Sequence, residues 1–332
     1  MVTKIVNGDT AGNLNNAADF FGVQDDFIAV QAAGSPIFTF DGNDRIDASR
    51  STGLQTAYLG FGNDTYRGGI TGGDFVHDGD GADFVDLAGG DDTANAGAGN
   101  DVLRGGAGTD TITFLYESND GYGALVQSGG PGIVIDLAKT TAQNFGRFGV
   151  DTISGFESVL CSGGADKIYG TNGANGLNGY SGNDVIDGRG GNDNILGASG
   201  ADIVIGGLGG DTIFLNDFGD DGVRDTVRYL STAESGLTVA TRDVVSDFVH
   251  SAGAGGDRID LSRIDANPFL AGNQSFAWRA TLAFRANVVG EVRFIDAGND
   301  VMVQVDTDND NAAEMTILVK FVPSLAAYDF VL

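Results

Sequence analysis

Cysteine, proline, histidine and positive charge are all scarce in this sequence. The one cysteine, Cys161, excludes an intrachain disulfide and is expected to be a small buried side chain. Only 18 Lys and Arg residues stand against 46 Asp and Glu residues, so the formal net charge is −28. This charge argues against nucleic acid or an anionic membrane as a partner, because both attract basic surfaces. Long apolar runs are missing too, and the sequence predicts neither a membrane span nor an N-terminal signal peptide.

The motifs of common hydrolases are also missing. The two histidines, His77 and His250, lie far apart in the sequence, and neither belongs to an H-E-x-x-H zinc motif. No G-x-S-x-G nucleophile elbow occurs. We expect His77 to be a solvent-exposed side chain, and we expect the chain not to be an enzyme.

Glycine and aspartate are abundant instead, and they recur every nine residues. One run consists of Asp74, Asp83, Asp92, Asp101 and Asp110, and a second of Asp166, Asn175, Asp184, Asp193, Asp202 and Asp211. An aliphatic residue lies two positions after almost every one of these residues, and glycines recur two to four positions before it. Because hard divalent cations prefer oxygen ligands, this density of carboxylates indicates a bound cation.

Each period of nine reads as a glycine turn followed by a short extended segment. Two periods make a coil of eighteen residues, and stacked coils would form two parallel sheets with the aliphatic side chains between them. One buried aliphatic side chain contributes about 2 kcal/mol, whereas ordering nine residues costs on the order of 9–18 kcal/mol of backbone entropy. We therefore hypothesise that a bound divalent cation holds the glycine turns in place.

The periods resemble the RTX calcium-binding nonapeptide G-G-x-G-x-D-x-U-x, in which U is a large aliphatic residue. "GGAGTDTIT" at 105–113 and "GGLGGDTIF" at 206–214 match it at every fixed position. The resemblance implies an all-β fold, in which a calcium-stabilised parallel β-roll of two repeat blocks is followed by a C-terminal β-rich module. It also implies about seven or more Ca²⁺ ions, each between one loop and the loop two repeats on.

The ligands implied by the resemblance are pairs of repeat side chains together with backbone carbonyls. The pairs are Asp74 with Asp92, Asp83 with Asp101, Asp92 with Asp110, Asp166 with Asp184, Asn175 with Asp193, Asp184 with Asp202, and Asp193 with Asp211. The carbonyls are those of Gly97, Gly99, Gly106, Gly108, Gly182, Gly200, Gly207 and Gly209. Asp44 and Asp64 hold the motif position in weaker upstream repeats. The site with Asn175 should be weaker, because an amide brings no charge. The alternative is that these Asp residues only cap turns.

The last part of the chain lacks the nine-residue period. Most of 243–332 resembles the C-terminal module of serralysin-type proteins, which type I secretion machinery exports without an N-terminal signal. Alternating apolar residues in "DVMVQVD" and "MTILVKF" predict paired strands. The segment "DTDND" at 306–310 resembles half of an EF-hand loop but lacks its later Gly and acidic positions. A turn between two strands is therefore favoured there over a lone calcium site.

These observations predict five segments. They are degenerate N-terminal repeats or a cap (1–70), a first roll block (71–113), a strand-rich interruption (114–160), a second roll block (161–222) and a serralysin-like module with the secretion signal (223–332).

The predicted function is that of a bacterial protein, secreted to the medium or the cell surface, that folds on calcium and is not an enzyme. It would act as a surface-layer, matrix or adhesion component, with itself or a cell-surface glycan as a further partner. The initial Met and the early start of the repeats favour this reading. The alternative is the calcium-folding and export portion of an RTX enzyme (a protease, lipase or polysaccharide-modifying enzyme) that lacks its catalytic domain.

Overall fold

The computed structural model describes residues 2–6, 25–30, 36–117, 124–125, 131–216, 221–253, 255–308 and 310–332. Within these ranges it consists of short β-strands and three single-turn 3-10 helices, without α-helix. None of the described segments is a helix long and apolar enough to cross a membrane. The chain divides into two compact units, Met1–Gly163 and Gly164–Leu332. Parts of the predicted segments 1–70, 114–160, 161–222 and 223–332 lie outside the described residues.

The first unit contains two sets of parallel strands. In spatial order, the first set is Val2–Val6, Asp26–Val30, Arg45–Asp47, Thr65–Arg67, Phe84–Asp86, Val102–Arg104 and Val150–Ser154, followed by the antiparallel Gln143–Asn144. The second set is Ile37–Phe38, Thr56–Tyr58, Phe75–His77, Thr93–Asn95, Thr111–Thr113 and Ser158–Leu160. Smaller elements are Val134–Asp136, the pairs Asp80–Gly81 with Ala98–Gly99 and Tyr116–Glu117 with Ala124–Leu125, and the 3-10 helix Gly146–Phe148.

The second unit repeats this arrangement and adds a β-hairpin. Its first set of parallel strands is Lys167–Tyr169, Val185–Asp187, Ile203–Ile205, Thr226–Arg228, Arg258–Asp260 and Phe330–Val331. Its second set is Gly176–Asn178, Asn194–Leu196, Thr212–Phe214, Asp243–Ser246 and Met315–Val319, and continues through Val301–Asp306, Glu291–Asp296 and Ala277–Trp278. Val301–Asp306 runs antiparallel to both of its neighbours. The 3-10 helices are Thr232–Glu234 and Ala327–Asp329.

One coil of eighteen residues separates neighbouring strands in the regular part of each unit. Thr93, for example, pairs with Phe75 before it and Thr111 after it. Alternate residues of a strand face opposite sides, so the middle residue of each three-residue strand points inward. The aliphatic residues two positions after each repeat Asp hold these middle positions and are at most 1% exposed: Val76, Val85, Ala94, Leu103, Ile112, Ile168, Leu177, Ile186, Ile195, Val204 and Ile213. The predicted all-β fold with a parallel β-roll is confirmed.

Coil length varies outside the two phased runs without breaking the parallel pairing. Thr65 pairs with Arg45, twenty residues earlier, and with Phe84, nineteen residues later. Val102 pairs with Thr152, fifty residues later in the chain. Insertions therefore lengthen loops while the strands keep their register. The division into five segments remains a prediction.

Candidate metal centres

The glycine turns are packed so closely that a side chain would not fit. Gly200 has φ of +126°, in the region that L-residues rarely adopt, and a Cβ built there would lie 1.6 Å from the carbonyl oxygen of Gly182, one coil earlier. The lack of space is the same at Gly99 and Gly209, where a Cβ would lie 1.6 and 1.7 Å from carbonyl oxygens one coil earlier. Strict glycine at these positions is thus required by direct backbone stacking of successive loops.

A ladder of hydrogen bonds joins the repeat Asp residues across the coils. In each of the seven predicted pairs, the backbone N–H of the first residue donates to Oδ1 of the second, eighteen positions later. The distances are 2.6 Å for Asp74 to Asp92, 2.8 Å for Asp83 to Asp101, 2.9 Å for Asp92 to Asp110, 2.7 Å for Asp166 to Asp184, 2.8 Å for Asn175 to Asp193, 2.8 Å for Asp184 to Asp202, and 2.9 Å for Asp193 to Asp211. The N–H groups of Asp44 and Asp64 donate likewise to Asp64 and Asp83, at 2.6 and 2.7 Å.

The second carboxylate oxygen of these residues is what points to a cation. Within the described part of the chain, Oδ2 is buried and has no hydrogen-bond partner in Asp64, Asp83, Asp92, Asp101, Asp110, Asp184, Asp193, Asp202 and Asp211. A buried carboxylate without a partner costs several kcal/mol unless a counter-charge is present. Carboxylate oxygens beside loop backbone carbonyls are the donors that Ca²⁺ prefers, so the residues present fit this ion.

Two of the predicted ligands have protein partners in addition. Oδ2 of Asp74 accepts a hydrogen bond from the Tyr66 hydroxyl at 2.9 Å. Oδ1 of Asn175 accepts from the N–H and the hydroxyl of Thr171, at 2.7 and 3.0 Å. At these two positions the protein itself supplies donors to the side-chain oxygen. In each of the two predicted sites, the Oδ2 atom without a partner among the described residues belongs to the residue one coil later, Asp92 or Asp193.

The predicted glycine carbonyls belong to the same stacked loops. The carbonyl oxygens of Gly182 and Gly99 face the glycines one coil later, Gly200 and Gly149. The structure places the other predicted glycines in equivalent turns: Gly97, Gly106, Gly108, Gly200, Gly207 and Gly209. Their role as ligands remains a prediction.

Burial raises the pKa of the ladder carboxylates, and neighbouring carboxylates raise most of them further. The pKa is raised to about 6 for Asp101, Asp110 and Asp211, to about 7 for Asp64, Asp92, Asp184 and Asp193, and to about 8 for Asp83 and Asp202. Without an ion, these carboxylates are therefore protonated at a higher pH than exposed ones, and a divalent cation would offset the electrostatic cost of their ionised form.

The ladder extends beyond the two phased runs. This extension was not predicted from the sequence. Each continuing carboxylate accepts the N–H of the Asp one coil earlier, at 2.9 Å. These bonds run from Asp101 to Asp151, Asp110 to Glu157, Asp202 to Asp225, Asp211 to Asp243, and Asp225 to Asp257. The four Asp residues keep the D-x-U pattern, with Ile153, Val227, Val245 and Ile259 buried two positions later. Searching for D-x-U without fixed spacing would have found them.

Asp78 is a further carboxylate that the repeat pattern did not predict. It replaces the first glycine of the nonapeptide 78–86, whose sixth position is Asp83, and it is fully buried. Its carboxylate lies with those of Asp83 and Asp101 in a group whose ligand atoms are all within 4.8 Å of one another. Burial, and then the charges of Asp101 and Asp83, raise its pKa well above the usual range. The signal in the sequence was an acidic residue at a glycine position.

The expectation for His77 was wrong, whereas that for Cys161 is confirmed. His77 is only 2% exposed, because its ring stacks on Tyr58 at a centroid distance of 5.9 Å, and Tyr58 stacks on Phe38 at 4.8 Å. These three residues are register partners on neighbouring strands, so their stacked rings cover one another on the outward face of the sheet. Cys161 is buried.

Comparison with known families gives two matches. Residues 171–332 match the family described as Peptidase M10 serralysin C terminal. Residues 68–103 and 88–114 match the RTX calcium-binding nonapeptide repeat (4 copies). The predicted resemblance is confirmed, and the RTX nonapeptide repeats bind Ca²⁺. Together the two matches point to a secreted, extracellular calcium-binding protein.

Other comparisons are more distant. A search of curated proteins gives no match. Among solved structures, the chain is similar to the solution structure of the AlgE6R3 subunit from the Azotobacter vinelandii mannuronan C5-epimerase, at 21% identity and a TM-score of 0.29. That similarity covers 50% of this chain and 78% of the epimerase subunit.

Proposed function

We propose that this chain, with its RTX repeats and serralysin-type C-terminal domain, is a non-enzymatic protein that type I machinery exports and that calcium folds outside the cell. There it acts as a surface-layer, matrix or adhesion component. The observation that carries the proposal is the ladder of buried Asp residues, in which Oδ1 closes one coil on the next and Oδ2 lacks a partner among the described residues.

The charge of the chain supports a switch driven by calcium. Seven doubly charged ions at the seven predicted pairs would offset about half of the net charge of −28. Without them, the buried carboxylates repel one another and favour the unfolded chain. Low cytosolic calcium would thus keep the chain unfolded for export, and millimolar external calcium would fold it. Neighbouring sites share Asp92, Asp184 and Asp193, so we expect folding to be cooperative in calcium.

One observation favours a second candidate, the folding and export portion of an enzyme. The match over 171–332 is to the C-terminal domain of a family named for a peptidase. In that case the calcium-dependent folding would be the same, but the folded chain would serve a catalytic domain that is not among the matched regions.

Size-exclusion chromatography with light scattering, combined with circular dichroism, tests the proposal. We expect an expanded, largely unfolded monomer in EDTA and β-sheet ellipticity with compaction in millimolar calcium. Full β-sheet signal in EDTA would overturn the calcium switch. Large ordered assemblies in calcium would support the surface-layer or matrix role. A compact monomer would favour either a soluble binding module, which glycan and cell-surface binding assays would test, or the second candidate.

A further inference from the structure

A separate group of carboxylates lies in the hairpin of the second unit. The strands Val301–Asp306 and Met315–Val319 pair in antiparallel fashion, with Val305 opposite Met315. The N–H of Glu314 donates to the carbonyl oxygen of Val305 at 2.9 Å. The turn between the strands therefore begins and ends at two acidic residues, Asp306 and Glu314.

Three carboxylates converge at the base of this turn. Asp306, Asp308 and Glu314 each offer an oxygen within 4.8 Å of the other two. Backbone N–H groups hold them in place, since Asp308 donates to Oδ1 of Asp306 at 3.1 Å and Thr307 donates to Oε2 of Glu314 at 2.5 Å. Oδ1 of Asp308 accepts in turn from the N–H of Asp310 at 2.8 Å.

The burial of Asp306 shows that the group is more than an acidic turn on the surface. Asp306 is 0% exposed, and its Oδ2 has no hydrogen-bond partner within the part of the chain that the structure describes. Its cross-strand neighbour is Glu291, which is equally buried but is paired with the guanidinium groups of Arg279 and Arg285. These two guanidinium groups are thus engaged by Glu291, and Oδ2 of Asp306 is left buried without a partner among the described residues.

We propose that Asp306, Asp308 and Glu314 bind one hard divalent cation. Of the divalent cations in the extracellular medium, Ca²⁺ is the one that would occupy this site. The three ligands are carboxylates, without His or Cys, which selects against zinc and copper. The site would join the two ends of the turn, and so fix the hairpin whose strand Met315–Val319 pairs in parallel with Asp243–Ser246. It lies outside the nine-residue repeats, and its existence does not depend on the function proposed above.

Trp278 provides a local probe for this site. It is the one tryptophan of the sequence, and it is the register partner of Val292, which is the partner of Val305. Neighbouring strands are about 4.8 Å apart, so Trp278 lies roughly 10 Å from the strand that carries Asp306. Terbium(III), which replaces Ca²⁺ at oxygen sites, should emit when tryptophan is excited at the red edge of its absorption, where tyrosine does not absorb.

The experiment compares terbium titrations of the full chain and three variants. We expect Glu314→Gln to lower the terbium affinity, measured from the tryptophan-sensitised emission, at least about tenfold. In the wild-type chain, we expect calcium to displace the terbium. Asp296→Asn is the matched control, because Asp296 is an exposed carboxylate of the same hairpin region, and it should titrate like wild type. Asp202→Asn should leave this signal in place, which separates the hairpin site from the repeat sites.

Two results would overturn the proposal. One is an unchanged terbium affinity in Glu314→Gln, and the other is a wild-type signal that calcium does not displace. If Glu314→Gln does not give the wild-type circular dichroism spectrum in calcium, Asp308→Asn decides the matter. Its amide oxygen can still accept from the Asp310 N–H, so the turn is retained, and wild-type affinity in this variant would equally refute the site.

Discussion

Asp202 distinguishes a metal ligand from a turn residue. Its Oδ1 accepts the Asp184 N–H at 2.8 Å, and its Oδ2 has no partner among the described residues. Asparagine in its place keeps an oxygen for this hydrogen bond and removes the charge. We therefore expect Asp202→Asn to change the free energy of unfolding in opposite directions with and without calcium.

Without calcium, the substitution should stabilise the fold. Burial, with the charges of Asp184 and Asp221 adding to it, raises the pKa of Asp202 from 3.8 to about 8. The folded state favours the protonated form of Asp202. The contribution of this side chain to the free energy of unfolding is therefore complete below pH 3.8 and is lost as the pH rises through 8. That loss is about 4 kcal/mol at pH 7. Asparagine avoids it but leaves a buried amide N–H₂ unpaired at about 1–3 kcal/mol, so a net gain of about 1–3 kcal/mol remains.

With calcium, the substitution should destabilise the fold. Asp202 belongs to the predicted site with Asp184 and is also bonded to Asp225 in the next coil. If each of two sites loses one charged ligand and binds about a hundredfold more weakly, the loss is about 2.7 kcal/mol per site, and the loss at both sites exceeds the gain expected without calcium. The calcium midpoint of folding should rise accordingly.

Two measurements at pH 7 test these signs. Folding in EDTA is induced with an osmolyte such as TMAO, which favours the compact state, and folding by calcium is followed by far-UV circular dichroism. Asp296→Asn, at an exposed carboxylate, is the control for charge alone. Equal destabilisation in both conditions would make Asp202 a turn residue, and an unchanged calcium midpoint would exclude it as a ligand.

Three further predictions concern pH, the turns and Asn175. In EDTA, circular dichroism should show the chain gaining structure as the pH falls from about 8 towards 4. The reason is that ladder carboxylates with pKa values of about 6 to 8 in the folded state take up protons that the unfolded chain binds only near pH 3.8. A flat profile would contradict this. Gly200→Ala should lower the free energy of unfolding in calcium by more than about 2 kcal/mol, measured by thermal unfolding, because its Cβ would meet the Gly182 carbonyl. Gly222→Ala, with φ of +79° and no atom of the described residues within 4 Å of the added Cβ, should cost less. Asn175→Asp should lower the calcium midpoint by adding a charge opposite Asp193, and a raised midpoint would argue against a site there.

The phased Asp residues made much of the fold predictable. Because one backbone hydrogen bond and one inward aliphatic residue recur in every coil, regular spacing in the sequence corresponds directly to regular stacking in space. Asp193 illustrates this, since its predicted partners Asn175 and Asp211 are its neighbours in the ladder. The pairs were predictable for that reason.

Local pattern failed where tertiary contacts decide the environment. The outward position of His77 predicted exposure, but Tyr58 on the neighbouring strand covers it. Asp78 broke the repeat consensus and was passed over, although it lies among Asp83 and Asp101. The carboxylates of Asp306 and Glu314 are eight residues apart and meet only because the strands beside them pair.

Loss of the nine-residue spacing does not mean loss of the ladder. Between Asp101 and Asp151 the coil grows from eighteen residues to fifty, yet Asp101 still donates to Asp151 at 2.9 Å. Closing the longer loop costs about 1 kcal/mol more than closing the regular one. Burying Ile153 two positions later, at 1% exposure, returns about 2 kcal/mol. The roll therefore tolerates long insertions wherever a D-x-U segment follows, and that segment, rather than the period, is what specifies the next coil.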